Sequence, residues 1–158
     1  MIASQLLSRR PDLPHACLTT HTHTPPPTFA AVTQVIVFTA SQSVYANELL
    51  DRIDPEKRYI KHRMFRESCL QVEGNFLKDL NVLGRDLKKA VLVDNSPHAF
   101  GYQVENGIPI ESWFSNEDNP NDTELLKLER FLRTLHGTTD VRHAVRQEFQ
   151  TFRLVEDA

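Results

Sequence analysis

Apolar residues gather in two short runs, Val35-Ile36-Val37-Phe38 and Val91-Leu92-Val93, and each run ends on polar side chains. Both are too short for a helix and show no alternation, which is the pattern of strands covered on both faces in a parallel α/β sheet. Polar function in such sheets collects just beyond the carboxyl ends of the strands. The first run leads into Thr39-Ala40-Ser41 and the second into Asp94-Asn95-Ser96-Pro97. Asp, Asn and Pro also favour a plain turn for local reasons, so the second motif alone has two readings.

Between and after these runs the period changes. Ala46, Leu49, Leu50 and Ile53 recur at helical spacing, with Ser41 or Ser43 as the cap and Pro55 as the stop. Lys57, Arg58, Lys61, Arg63 and Arg66 make a basic run that reads mostly as a solvated face. Cys69 to Leu77, folded about Glu73-Gly74-Asn75, predicts a β-hairpin, and Lys78 follows it. Ile108-Pro109-Ile110 predicts a short strand whose proline belongs at an edge or a strand start. Asn121 and Glu124 have the spacing of a capping box ahead of Leu125, Leu128, Leu132 and Leu135. Asp140 can cap a last helix carrying Val141, Ala144, Val145, Phe149 and Phe152. Both stripes read as core.

Composition narrows the class. The chain has 158 residues, 40% hydrophobic and 25% charged, the balance of a single globular domain. Residues 1–33 stand apart: Pro11, Pro14, Pro25-Pro26-Pro27 and alternating Thr and His predict a disordered segment, followed by one domain over residues 34–158. His15, His21 and His23 lack acidic or thiol partners and read as a polar tract, not a metal cluster. Met1 to Arg10, with Ser4, Ser8, Arg9 and Arg10 and no acid, weakly resembles a mitochondrial transit peptide. A net charge of -3 argues against a direct nucleic-acid partner. Cys17 and Cys69 form no disulfide framework. No apolar run approaches the roughly 20 residues of a membrane span, so the expectation is a soluble intracellular protein.

The polar ends assemble Thr39, Lys78, Asp94 and Asn95. A hydroxyl and an ammonium can hold the equatorial oxygens of a transferring phosphoryl group. A carboxylate and an amide oxygen suit Mg²⁺, which takes few protein ligands and keeps several waters. The chemistry these residues fit is phosphoryl transfer.

Val37-Phe38-Thr39-Ala40-Ser41, Phe65-Arg66-Glu67-Ser68-Cys69, Lys78-Asp79-Leu80, Leu83-Gly84-Arg85-Asp86-Leu87, Val93-Asp94-Asn95-Ser96-Pro97 and Trp113-Phe114 occur in that order. Together they resemble the small C-terminal-domain phosphatases, the FCP-homology branch of the haloacid dehalogenase superfamily, over about Val35 to Leu135. The resemblance implies a parallel sheet with flanking helices. It also implies that Thr39, Ala40, Arg66 and Lys78 hold the substrate phosphate, with Thr39 and Lys78 in catalytic roles. Asp94 and Asn95 would serve Mg²⁺, Asn95 the more directly. Substrates would be phosphoserine or phosphothreonine proteins, best known in the C-terminal repeats of RNA polymerase II, and the compartment nucleus or cytoplasm before mitochondrion.

One departure is large. The family's first motif, Asp-x-Asp-x-Thr at the end of a central strand, supplies nucleophile and general acid/base, and nothing before Val35 matches it. The family's insertion between its first two motifs is missing as well. The sheet is therefore expected to lack its first central strand, leaving an N-terminally incomplete domain with impaired catalysis. Two other readings stand beside a phosphatase-like enzyme: a non-catalytic phosphoprotein-binding module, and a relative of the mitochondrial inner-membrane translocase subunit that shares this domain.

Overall fold

The first apolar run forms β1 (Val35–Phe38) in the computed structural model, which describes residues 34–113 and 121–156. After Thr39 to Gln42 comes α1 (Ser43–Ile53), which buries Ala46 and Leu50. Its cap is not a serine: Gln42 holds the N-cap position with extended backbone and no side-chain cap bond. Ser41 is committed to the loop instead, since its N–H donates to Thr39 Oγ1 at 3.1 Å and its carbonyl accepts the Arg66 N–H at 3.1 Å. Ser43 is already helical.

α1 stops at Asp54, whose buried carboxylate gathers the next segment. Oδ1 accepts the Arg58 N–H at 2.9 Å, and Oδ2 accepts those of Tyr59 at 3.0 Å and Ile60 at 2.8 Å. Burial pushes this carboxyl up, but the N–H bonds from Ile60, Arg58 and Tyr59, with Arg63 nearby, leave it net below the usual carboxylate range.

The basic run is not only a solvated face. β2 (Ile60–Met64) lies within it, parallel to β1, with Val37 opposite Arg63 and Phe38 opposite Met64. Lys61 and His62 are exposed as expected. The strand is hard to read because its register shifts between Val35 and Ile36, which spoils the in-and-out alternation. Arg63 is drawn under α1 by Asp51 Oδ1 at 2.7 Å and Asn47 Oδ1 at 3.0 Å.

The hairpin is where the glycine predicts it. β3 (Leu70–Val72) and β4 (Asn75–Leu77) are antiparallel, and the turn residues Glu73 and Gly74 have φ of 49° and 84°. Two consecutive left-handed residues make the type I′ turn whose twist suits a two-residue hairpin.

The second apolar run forms β5 (Leu92–Asp94), paired in parallel with β6 (Gly107–Pro109) so that Asp94 faces Pro109. Proline thus ends the strand rather than starting it, and the strand lies at an edge as expected, paired with β5 alone among the described residues. At Gly107 a Cβ would stand 2.5 Å from Phe100 Cγ, so only glycine allows the aromatic ring to lie against this strand.

α2 (Glu124–Thr134), α3 (Val141–Phe149) and α4 (Thr151–Glu156) close the chain. Asn121 does not cap α2: Thr123 holds that position, and Asp122 Oδ1 accepts the Glu124 N–H at 2.9 Å. Leu125 is 40% exposed, so the core stripe of α2 starts at Leu128. Asp140 does cap α3 through the Arg142 N–H. The last stripe is broken at Gln150, whose φ of 48° ends α3 and puts Phe152 on α4. Thr151 is buried there and donates to the Gly107 carbonyl at 2.7 Å.

Alternation along the strands assigns the layers. Ile36, Phe38 and Leu92 point to one shared cluster with Leu80, Ala99 and Phe100. On the other side Val37 packs under α1 with Ala46 and Leu50, while Val91, Val93 and Ile108 pack with Leu128, Leu135, Val141 and Val145. Among the described residues β1–β2 and β5–β6 are separate two-stranded sheets, and no strand joins β1 to β5. This is a mixed α/β fold of small parallel sheets with flanking helices, in keeping with the haloacid dehalogenase-like arrangement. Residues 1–33, with the expected disorder, the histidine tract and the transit-like start, lie outside the described residues, as does Phe114. Among the described residues no helix is long and apolar enough to cross a membrane.

Candidate functional site

Thr39 follows β1 directly and is buried at 3% exposure. Its N–H donates to the Met64 carbonyl at 2.9 Å, which ties it to the end of β2, and its Oγ1 accepts the Ser41 N–H. An oxygen that accepts from the backbone still has its own proton to donate. Ala40 comes next, and its carbonyl accepts Arg66 Nε at 2.6 Å. The same guanidinium lies over the Phe76 ring at 5.1 Å, so an exposed arginine is held at fixed points.

Lys78 leaves β4 and turns inward, its N–H donating to the Ala99 carbonyl at 3.1 Å. Its ammonium pairs with Asp94 Oδ2, and both residues are buried. Taking two charges out of water is costly unless they meet each other with good geometry. Asp94 Oδ1 also accepts the Ser96 N–H at 3.0 Å, the turn expected of an Asx residue. Asn95 is exposed and donates through Nδ2 to Ser112 Oγ at 3.0 Å.

Cys69 links the two groups. Its thiol donates to the Thr39 carbonyl and the Phe65 carbonyl, each at 3.8 Å. Burial pushes this thiol up, with Lys78 opposing the shift and Asp94 adding to it. The structure joins Lys78 to Asp94 and Cys69 to Thr39, and the neighbouring Phe38, Leu80 and Leu92 share one cluster against which Cys69 packs. Ala40 and Arg66 sit beside Thr39, and Asn95 sits beyond Asp94.

Ser112 has no part in the sequence reading, and Cys69 appears there in a motif and at the start of the hairpin but not as a site residue. Ser112 has a weak signal, since it follows β6 as Asn95 follows the parallel β5. Cys69 has none, because a lone cysteine is ordinarily a small core residue.

The donor set suits Mg²⁺ by its hard oxygens, one of carboxylate and one of amide. Among the described residues no group of three or more His, Cys, Asp or Glu side chains gathers, so an ion held by Asp94 and Asn95 would keep several waters.

Comparison with known proteins agrees with this fold and its motifs. A model of the NLI interacting factor-like phosphatases matches residues 27–142. The CTD small phosphatase-like protein 2 of Dictyostelium discoideum is 57% identical over 125 residues, which is 79% of this chain and 21% of that protein. The CTD small phosphatase-like protein 3 of Caenorhabditis elegans is 51% identical over 118 residues, 74% of this chain and 40% of that protein. The CTD nuclear envelope phosphatase 1 of Xenopus laevis is 39% identical over 121 residues, 77% of this chain and 48% of that protein. The chain spans less than half the length of each of these curated relatives. It belongs to the NLI interacting factor-like phosphatase family.

Proposed function

We propose that this chain is a phosphoprotein phosphatase-like domain that holds a phosphoserine or phosphothreonine at Thr39, Ala40, Arg66 and Lys78, and that its hydrolytic step is impaired. The supporting observation is Lys78, a buried ammonium paired with the buried Asp94 carboxylate at the end of β5, as Thr39 with the nearby anchored Arg66 follows β1. The Thr39 hydroxyl donates to one phosphoryl oxygen and the Ala40 backbone N–H to another. Lys78 and Arg66 neutralise the charge on the group. Asp94 and Asn95 are the Mg²⁺ ligands in this reading, and a bound Mg²⁺ would supply further charge neutralisation of the phosphate.

The sequence supports the impairment. Asp-x-Asp-x-Thr does not occur anywhere in the chain. Asp94 is engaged by Lys78 and the Ser96 N–H, which suits a metal ligand and not a nucleophile. The partners are phosphoserine or phosphothreonine proteins, with the RNA polymerase II C-terminal repeats as the first to test, and the compartment is the nucleus or cytoplasm. A non-catalytic phosphoprotein-binding module is the second reading, favoured by the same set of holding groups without an attacking one.

Two assays test the proposal. Mg²⁺-dependent release from p-nitrophenyl phosphate should stay at background, and beryllofluoride should trap no aspartyl-phosphate mimic. A phosphoserine peptide should bind in calorimetry, and Arg66→Ala should weaken it by about tenfold or more, the worth of a charge-assisted hydrogen bond. Turnover well above background would overturn the impairment, and equal affinity of wild type and variant would overturn Arg66 as a phosphate ligand.

A further inference from the structure

The border of the site along β2 carries positive charge that is uncompensated among the described residues. Within the basic run Arg58 pairs with Glu56 at 3.2 Å and Arg63 with Asp51 at 2.7 Å. Among the described residues no carboxylate pairs with Lys57, Lys61 or Arg66, although the chain as a whole has a net charge of -3. Lys57, Lys61 and Arg66 are all exposed. β2 runs parallel to β1, so its far end reaches Thr39 through the Met64 carbonyl and its near end carries Lys61. Its outer edge is unpaired among the described residues. Acids occur instead along the segment that follows the site arginine: Glu67 after Arg66, Glu73 in the hairpin turn and Asp79 after Lys78.

We infer that this border binds an acidic segment on one flank of the phosphorylated residue. The inference rests on the phosphate-holding reading and adds a substrate class to it: phosphoproteins with acidic or further phosphorylated residues close to the site of dephosphorylation or capture. Reach sets the spacing. Lys61 to Met64 spans about 10 Å at the strand rise, and the turn to Arg66 adds a few more. An extended peptide covers that in about three to five residues. Carboxylates at those positions on one side of the phosphoresidue therefore meet Lys61, with Lys57 just beyond it, while the same charges on the other side do not reach this run. Exposed lysines also discourage edge-to-edge pairing of strands, and that role predicts no preference among peptides.

The test uses the 158-residue chain and phosphoserine peptides carrying neutral flanks, or three Asp residues placed three to five positions before or after the phosphoserine. One acidic peptide should bind about three- to tenfold tighter than the neutral one at low salt, the range of two weakly screened surface pairs. The other should gain nothing. The advantage should shrink at high salt and vanish in the Lys57→Glu/Lys61→Glu variant, whose affinity for the neutral peptide stays unchanged. Equal affinity for all peptides, or an advantage that survives in the variant, overturns the inference. If no phosphopeptide binds, the phosphate-holding reading fails by itself, and the unphosphorylated acidic peptides decide the border. Binding that the double variant abolishes supports it; no binding overturns it. A preference for anionic vesicles or RNA over every acidic peptide, lost in the same variant, also overturns it.

Discussion

Lys78 Nζ and Asp94 Oδ2 form an ion pair closed to water, joining the exit of the hairpin to the end of β5. Each charge depends on the other to stay buried. Removing one partner with Lys78→Met or Asp94→Leu should cost about 3 to 5 kcal/mol of stability, because it strands an uncompensated buried charge. The double substitution should cost much less than the sum. Urea unfolding of the set measures this, and additive losses would show that the pair does not act as a unit.

Asp54 should make the domain acid-sensitive. Its folded-state carboxyl lies below the usual value, so it binds fewer protons folded than unfolded, and its stabilisation is complete above the ordinary carboxylate pKa of about 3.9. That contribution is lost as pH falls through the depressed folded value. Asp54→Asn should lower stability at neutral pH by about 1 to 3 kcal/mol and flatten the acid limb of the stability curve. A variant with the same acid limb as wild type would remove Asp54 from this role.

Gly107→Ala should destabilise by about 1 to 3 kcal/mol, since the added methyl meets the Phe100 ring in a filled core. Phe100→Leu in the same chain should recover part of the loss. Thermal melts of the single and double variants are the check.

The facing edges of β1 and β5 should exchange their amide hydrogens faster than paired central strands do, because no described strand lies between them. A peptide of the family's first strand, with its Asp-x-Asp-x-Thr end, should slow that exchange and raise the melting temperature. Slow exchange in the chain alone would mean that the edges are already covered, and the account of an incomplete sheet would fail.

Local patterns made part of this legible. β1 and β5 are visible because a run buried on both faces needs no context, and the hairpin because Gly74 supplies one of its two left-handed residues. Thr39, Lys78 and Asp94 are readable as strand-end polar groups for the same reason. β2 is hidden because its charges belong to an edge and its register is irregular. The break at Gln150 has no sequence signal, since glutamine seldom adopts a positive φ. The contact of Cys69 with Thr39 and that of Asn95 with Ser112 depend on chain segments that meet only in the folded state.

The shared cluster under β1 and β5 has a mechanical consequence. With no backbone ladder between those strands among the described residues, the gap between Thr39 and Asp94 is gauged by the bulk of Ile36, Phe38 and Leu92. Close-packed side chains transmit changes of size but impose no direction. The two strand ends thus stand like the jaws of a caliper set by side-chain volume, and under the proposed phosphate-holding reading a methyl group added or removed in this cluster would reset the distance across which a phosphate is held.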